Sequence, residues 1–354
     1  MAERQWVVFR PRSERRWGGE LRRHYIFAEL AIETEARVIH YWRQLERLDG
    51  RCPLSVMRRR RPRGRPWFVS SEQPPARAFE AIRRLTQPLA VAIYDDPVAQ
   101  SEALGVDLGD DRKAELQARL RESIAGFALY VVPTSAFADL VSLDSSRVIV
   151  AGNGTDTARI APGPMPADPT VGFVSGAAPG RGIETLVAAV RELRATGLPV
   201  RLRLWLVATS QSSERYLADL RVALAGEGWV TIESAPYERL GHALAGATVL
   251  CVPHPPSPYM DAALPVKLLD SMAAGRPLVV TPRTETAAII RRHGAGIVAG
   301  GDRPEDLAAA LLEVLSDAAL AQRLGAAGRR AAELHYDWQI VGKRLAHELI
   351  ARTS

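Results

Sequence analysis

The sequence predicts an α/β protein built of two doubly wound parallel-sheet domains that face each other across a cleft. Three observations carry this. Short apolar runs bounded by glycine and proline alternate with longer helical stretches, the pattern of parallel strands joined by crossover helices. The pattern stops at Ala161-Pro-Gly-Pro-Met-Pro-Ala-Asp-Pro-Thr170, which has four prolines, and then restarts. A length of 354 residues suits two domains of ordinary size. The boundaries read as an N-terminal domain over 1–160, a linker over 161–170, a C-terminal domain over 171–335, and a last helix over 336–354 that crosses back to the first domain.

In the first half, strands are expected at Trp6–Phe9, Val38–Trp42, Trp67–Ser70, Leu89–Tyr94, Ala128–Val132 and Arg147–Ala151. A loop with Gly18 and Gly19 precedes a helix over 20–32; further helices are expected over 76–85 and 111–126. In the second half, strands are expected at Thr170–Ser175, Val200–Val207, Val230–Glu233, Thr248–Val252, Leu278–Val280 and Gly296–Ala299. Helices are expected over 183–196, 213–226, 304–317, 319–333 and 338–352. In open sheets of this kind ligands bind at the carboxyl ends of the strands.

Composition narrows the function. Hydrophobic residues make up 47% and charged residues 24%, as in a soluble globular protein. The two cysteines, Cys52 and Cys251, have neither metal-site spacing nor a disulfide framework, which fits a reducing cytoplasm. The N-terminus lacks an apolar signal-peptide core, and no run is long enough to span a membrane. Residues 1–70 carry 17 arginines against 8 acidic residues, densest at Arg58–Trp67. Such a run is a solvated loop or a surface for an anionic acceptor or peripheral contact with an anionic membrane. No nucleic-acid motif accompanies it, so nucleic acid is not expected as a partner.

The most informative segment is Leu264-Pro-Val-Lys-Leu-Leu-Asp-Ser-Met-Ala-Ala-Gly-Arg-Pro-Leu-Val-Val-Thr281. It reads as loop, helix, turn and buried strand, with Pro265 in the first turn and Gly275 just past the end. Helical spacing puts Lys267, Asp270, Ser271 and Ala274 on one face. A cation and a carboxylate thus stand one turn apart, on a helix whose N-terminus itself favours anions. That arrangement suits a diphosphate on the lysine and a ribose diol on the carboxylate. Lysine is also scarce: Lys113, Lys267 and Lys343 stand among 46 basic residues, the rest being arginine. The bland alternative is a solvated lysine on an amphipathic helix.

Four segments together resemble the glycosyltransferases of the GT-B fold, two Rossmann-like domains, and among them the retaining glycosyltransferase family 4. They are Trp17-Gly-Gly-Glu-Leu-Arg-Arg-His24, Arg147-Val-Ile-Val-Ala-Gly-Asn-Gly-Thr-Asp156, Leu264–Thr281, and Asp302–Ala308 with Tyr336-Asp-Trp338. The resemblance implies transfer of a sugar from a nucleotide-diphosphate sugar to an acceptor hydroxyl, with retention, without metal, and with no cofactor beyond the donor co-substrate. The acceptor is a small molecule, a glycan or a lipid-linked group. By the same resemblance Arg181 and Lys267 would neutralise the leaving diphosphate, and Asp270 would bond the ribose. Gly18, Gly19 and Gly176 would let backbone approach a ligand closely, and backbone near Ala263 and Leu264 would cap the phosphate or hold sugar hydroxyls. Asp95, assigned to catalysis, and Asp96 would position sugar or acceptor; a metal-binding pair and a helix N-cap are the other readings. Glu72 would contact the acceptor, and His254 the ligand.

The chain departs from the family pattern at three places. Ala262 stands where a first carboxylate is expected, with Asp261 beside it; Ala177 and Ala178 lie where an arginine is common; and Tyr94-Asp95-Asp96 replaces a strand-end histidine. A nucleotide-sugar 2-epimerase and a non-catalytic nucleotide-sugar-binding subunit are the competing expectations. A dehydrogenase is disfavoured, since no G-x-G-x-x-G opens the first helix.

Overall fold

The computed structural model describes residues 6–11, 18–41, 65–74, 79–80, 83–84 and 86–353. The arginine run from Arg58 to Gly64, Trp17, Cys52 and most of the expected helix over 76–85 lie outside these residues. The chain divides into two units, one of residues 1–100, 108–153 and 338–354, the other of residues 101–107 and 154–337.

The first unit holds strands β1 (Trp6–Pro11), β2 (Arg37–Tyr41), β3 (Trp67–Ser70), β4 (Gln87–Ala92), β5 (Leu129–Val132) and β6 (Val148–Val150). They form one sheet in the order β2-β1-β3-β4-β5-β6, every pair parallel. Its helices include α1 (Gly18–Glu33), α3 (Asp110–Ile124) and α4 (Ser135–Leu140), and α2 (Pro97–Ala103) begins in it and ends in the second unit. Val8, Phe68, Val69, Val91 and Val131 are fully buried, as expected of strands covered on both faces. The last helix, Trp338–Ala351, belongs to this unit and packs on α1. Tyr25 stacks on Trp338 with ring centroids 5.9 Å apart. Gly342 lets the two helices close up, since a Cβ there would come within 2.4 Å of the Glu29 Cβ.

In the second unit the strands are β7 (Thr170–Gly176), β8 (Arg201–Val207), β9 (Val230–Glu233), β10 (Val249–Val252), β11 (Leu278–Val280) and β12 (Gly296–Val298). Their order is β12-β11-β10-β7-β8-β9, again parallel throughout. The crossovers are α5 (Ile183–Ala195), α6 (Gln211–Ala223), α7 (Leu240–Ala245), α8 (Pro258–Ala262), α9 (Val266–Ala273), α10 (Thr284–His293), α11 (Pro304–Ser316) and α12 (Ala318–Ala331); the Trp338–Ala351 helix is α13. The short helices α2, α4, α7, α8 and α10 are not among those expected from the sequence. All but α10 have seven residues or fewer, too short for a full amphipathic period to stand out.

The proline-rich segment expected as a linker is packed into the second unit. Arg276, only 2% exposed, donates from Nη2 to the carbonyls of Gly163, Pro164 and Ala245 at 3.0, 2.6 and 2.6 Å. Arg329 similarly reaches the carbonyls of Ile160, Ala273 and Thr157 at 2.6, 2.7 and 2.9 Å. Prolines offer no N–H, so carbonyls in such a segment have few local donors, and the buried Arg276 guanidinium supplies them.

The strand order of the second unit places its switch point between β7 and β10. From β7 the chain runs outward through β8 and β9; from β10 it runs the other way, so the loops after these two strands diverge and leave a crevice. Gly182, at φ +77°, caps α5 and lies against the loop after β10; a Cβ there would meet the Pro253 carbonyl oxygen at 1.7 Å. Gly182→Ala therefore combines a left-handed backbone with a collision against main chain. It is expected to destabilise the protein by about 3 kcal/mol or more, read as a lower urea midpoint with an unchanged m-value.

Candidate functional site

The switch point of the second unit gathers the residues singled out on the 264–281 segment. Pro265 precedes α9, which has no side-chain cap at its N-terminus. Leu268, Leu269, Met272 and Ala273 are fully buried, so the opposite face carries Lys267 towards the ends of β7 and β10. The Lys267 Nζ donates to Ser175 Oγ at 2.8 Å, lies 3.4 Å from His254 Nε2, and sits 5.0 Å from the centre of the Phe173 ring. Ser175 comes from β7 and His254 from the loop after β10, whose backbone is fixed by Thr281 Oγ1 donating to the His254 carbonyl at 2.6 Å.

This cluster is cationic. Burial, and then the Arg181 guanidinium, hold Lys267 well below the ordinary lysine range. Burial, then Lys267, Arg181 and Arg283, keep His254 well below the usual histidine range and therefore neutral. His254 is 1% exposed, and its Nδ1 has no hydrogen-bond partner among the described residues. Of the sequence-derived residues the structure thus brings together Arg181, His254 and Lys267, with Gly176 ending the strand that carries Ser175.

Asp270 is on the same helix but turned inward. It is 5% exposed, and its Oδ1 accepts from Thr155 Oγ1 at 2.7 Å. Burial raises its pKa to about 7, with the Thr155 hydroxyl opposing and Asp156 adding to the rise. Asp261 is also engaged: it accepts from the Thr284 amide at 3.2 Å and pairs with Arg283 at 3.5 Å. Arg283, 5% exposed, meets both oxygens of Asp302 at 2.7 Å. Asp261 therefore neutralises Arg283 rather than standing in for the carboxylate missing at Ala262, which is itself buried.

Three expectations change. The Ala263 amide is not available to a phosphate, because it closes the end of α8 by donating to the Tyr259 carbonyl at 2.9 Å; the Leu264 side chain beside it is buried. Gly18 and Gly19 form the first turn of α1 instead of a preceding loop. Asp96 is the N-cap of α2, its Oδ1 accepting from the amides of Val98 and Ala99 at 2.9 and 2.7 Å. Among the described residues no group of three or more His, Cys, Asp or Glu is placed to hold a metal ion. Asp95, exposed, accepts from Gln100 Nε2 at 3.3 Å, and Glu72, buried after β3, has its carbonyl bonded by Ser70 Oγ at 2.5 Å. Sequence reasoning missed Ser175, Thr155 and Arg283; a serine ending a strand and a threonine in a loop carry no signal of their own.

Comparison with known proteins fits this geometry. Residues 168–317 match the family model described as Glycosyl transferases group 1. Over nearly its whole length the fold matches solved GT-B structures. Sucrose-phosphate synthase from Thermosynechococcus elongatus aligns at 15% identity and TM-score 0.73, covering 99% of this chain and 100% of that one. Anabaena HepE in complex with UDP aligns at 14% and 0.73, covering 98% and 100%. A glycosyltransferase from Rickettsia africae aligns at 11% and 0.70, covering 98% and 99%. No curated protein sequence matches the chain. The chain thus has the GT-B fold, and residues 168–317 of its second unit match the glycosyl transferase group 1 model.

The Asp270 environment makes a testable point about stability. A carboxyl whose folded pKa lies above its unfolded value binds extra protons when folded, so its contribution is full below about pH 4 and is lost as pH rises through about 7. Asp270→Asn keeps the acceptor for Thr155 and removes the charge. At pH 8 it is expected to melt several degrees above the wild type, each kcal/mol relieved being worth about 2–4 °C in a unit of this size. The difference shrinks towards pH 4 in a thermal-denaturation series.

Proposed function

We propose that this protein transfers a sugar from a nucleotide-diphosphate sugar to an acceptor hydroxyl, with retention and without metal assistance. The observation that carries the reading is the Lys267 ammonium, held at the switch point of a group 1 glycosyl transferase domain beside Arg181. Negative charge grows on the departing diphosphate as the glycosidic bond breaks. Preorganised cations at that oxygen are the expected source of rate enhancement. In a retaining transfer the departing phosphate oxygen takes the proton of an acceptor attacking the same face of the sugar, so no separate base is required.

Donor contacts fall to Arg181, Lys267, His254, Gly176 and the N-terminal turn of α9, with Asp270 offered to the ribose. Acceptor recognition is assigned to the first unit, with Asp95 and Glu72 as its polar contacts and the glycines of α1 allowing close backbone approach. Asp96 is left its capping role. The anion-seeking N-terminal arginines favour an acceptor that is anionic or lipid-linked, handled by a cytoplasmic protein that touches an anionic membrane peripherally. Among the described residues no helix is long and apolar enough to cross a membrane. Ala262, with Asp261 committed to Arg283, favours one second reading: a subunit that binds nucleotide sugar without transferring it.

A thermal-shift panel of UDP, GDP, ADP and dTDP tests the donor site. At least one is expected to raise the melting temperature, by about 2.7 kcal/mol of stabilisation at a hundredfold excess over Kd. Lys267→Ala is expected to fold, to lose that shift, and to lower transfer by roughly a hundredfold or more. Unchanged turnover in that variant would remove Lys267 from the mechanism, and donor binding without transfer to any acceptor would select the second reading.

A further inference from the structure

The second unit holds a cavity of about 490 Å³ that shares no lining residue with the switch point. That volume falls within the range of about 300–1,000 Å³ typical of small-ligand sites. Leu202, Leu204 and Leu206 of β8 join the core beneath α5 and α6. Strand alternation therefore turns Arg203 and Trp205 to the other face, where they line the cavity. Its remaining walls are the 163–166 segment, the 233–236 stretch where β9 ends, and the end of α7.

These walls are braced against one another. The buried Arg276 guanidinium takes the carbonyls of Gly163 and Pro164 on one side and of Ala245 on the other. Its Nη1 lies 2.9 Å from the Met165 Sδ. All four of those partners line the cavity, so one buried cation fixes two of its walls before any ligand arrives. Gly246 leaves room for a second guanidinium, since a Cβ there would stand 2.7 Å from Arg203 Nη1. Arg203 in turn pairs with Glu233 Oε2 at 3.0 Å and lies 5.3 Å from the centre of the Trp205 ring.

The charges lining the cavity do not cancel. Arg203 and Glu233 balance each other. Arg239 and His242 remain, three positions apart and so on one side of the turn that enters α7. Neither side chain has a hydrogen bond or ion pair among the described residues. Asp168, just past the 163–166 segment, is taken up by Arg201 at 3.2 Å. The lining thus offers a guanidinium and an imidazole without an anion. It also offers Glu233 Oε1 and Ser234 Oγ, which have no partner among the described residues. Met165, 41% exposed, and Pro236 add apolar surface.

We propose that this cavity binds a phosphorylated sugar at a site separate from the switch point. The phosphate goes to Arg239 and His242, because the flat guanidinium fork matches phosphate oxygens and a phosphomonoester carries enough charge for both groups. The sugar hydroxyls go to Glu233 Oε1 and Ser234, and the C–H face of the ring goes to Met165 and Pro236. This assignment does not depend on the donor-site reading.

Isothermal titration calorimetry on the full chain tests it, with glucose 6-phosphate, mannose 6-phosphate and glucose 1-phosphate as probes. At least one is expected to bind. Glucose, which lacks the phosphate, and glucuronate, which carries a carboxylate instead, are expected to bind at least roughly tenfold more weakly. The double variant Arg239→Ala/His242→Ala should weaken the sugar phosphate by roughly tenfold or more. Both side chains are exposed and unpartnered, so its melting temperature should match the wild type. Lys267→Ala should leave this binding unchanged, which separates the cavity from the switch point. Binding of none of the three probes overturns the inference. So does glucuronate binding as tightly as the phosphate, a sugar phosphate that binds the double variant undiminished, or one lost in Lys267→Ala.

Discussion

Lys267 reaches the switch point of the second sheet from α9 and is fastened there by one hydroxyl from β7 and one imidazole from the loop after β10. Much of the surrounding structure follows from that placement. The apolar face of α9 must be fully buried to aim the amine, and Leu268, Leu269 and Met272 are. The loop carrying His254 must be immobile, and Thr281 bonds its backbone. Arg283 must not add an unbalanced charge, and Asp302 and Asp261 take it up.

Arginine plays the opposite role in this chain. Arg276 and Arg329 are internal fasteners: their flat, many-donor heads satisfy carbonyls from segments far apart in sequence. A lysine in either place could point its donors at fewer carbonyls and would shed its proton more readily. The division of labour is consistent with the sequence's bias, in which only three of 46 basic residues are lysine and one of them stands at the switch point.

Much of this was legible in the residues. The alternation of apolar runs and helices specified both parallel sheets, because strands buried on two faces leave continuous Val, Ile and Leu tracts. Helical spacing placed Lys267 on the side of α9 opposite its buried apolar residues. The partners were not legible. Ser175 lies 92 positions from Lys267 and Thr155 lies 115 from Asp270, and only the strand order brings them together. Asp270 could be placed on the same helical face as Lys267, yet its inward turn and its hydroxyl partner depend on where the 154–157 segment is laid. The proline-rich stretch misled for a similar reason: its composition says linker, while the guanidinium that holds it, Arg276, comes from the turn before β11.

The contact between Gly182 and the Pro253 carbonyl has an entropic consequence. Two loops at the switch point, one ending in Arg181-Gly182 and the other beginning Pro253-His254, are wedged against each other with no room for a single added carbon. They cannot wander independently, so a ligand arriving there does not have to organise them. The freedom that binding would otherwise extinguish has already been given up during folding, where the cost is shared with the packing of a whole sheet.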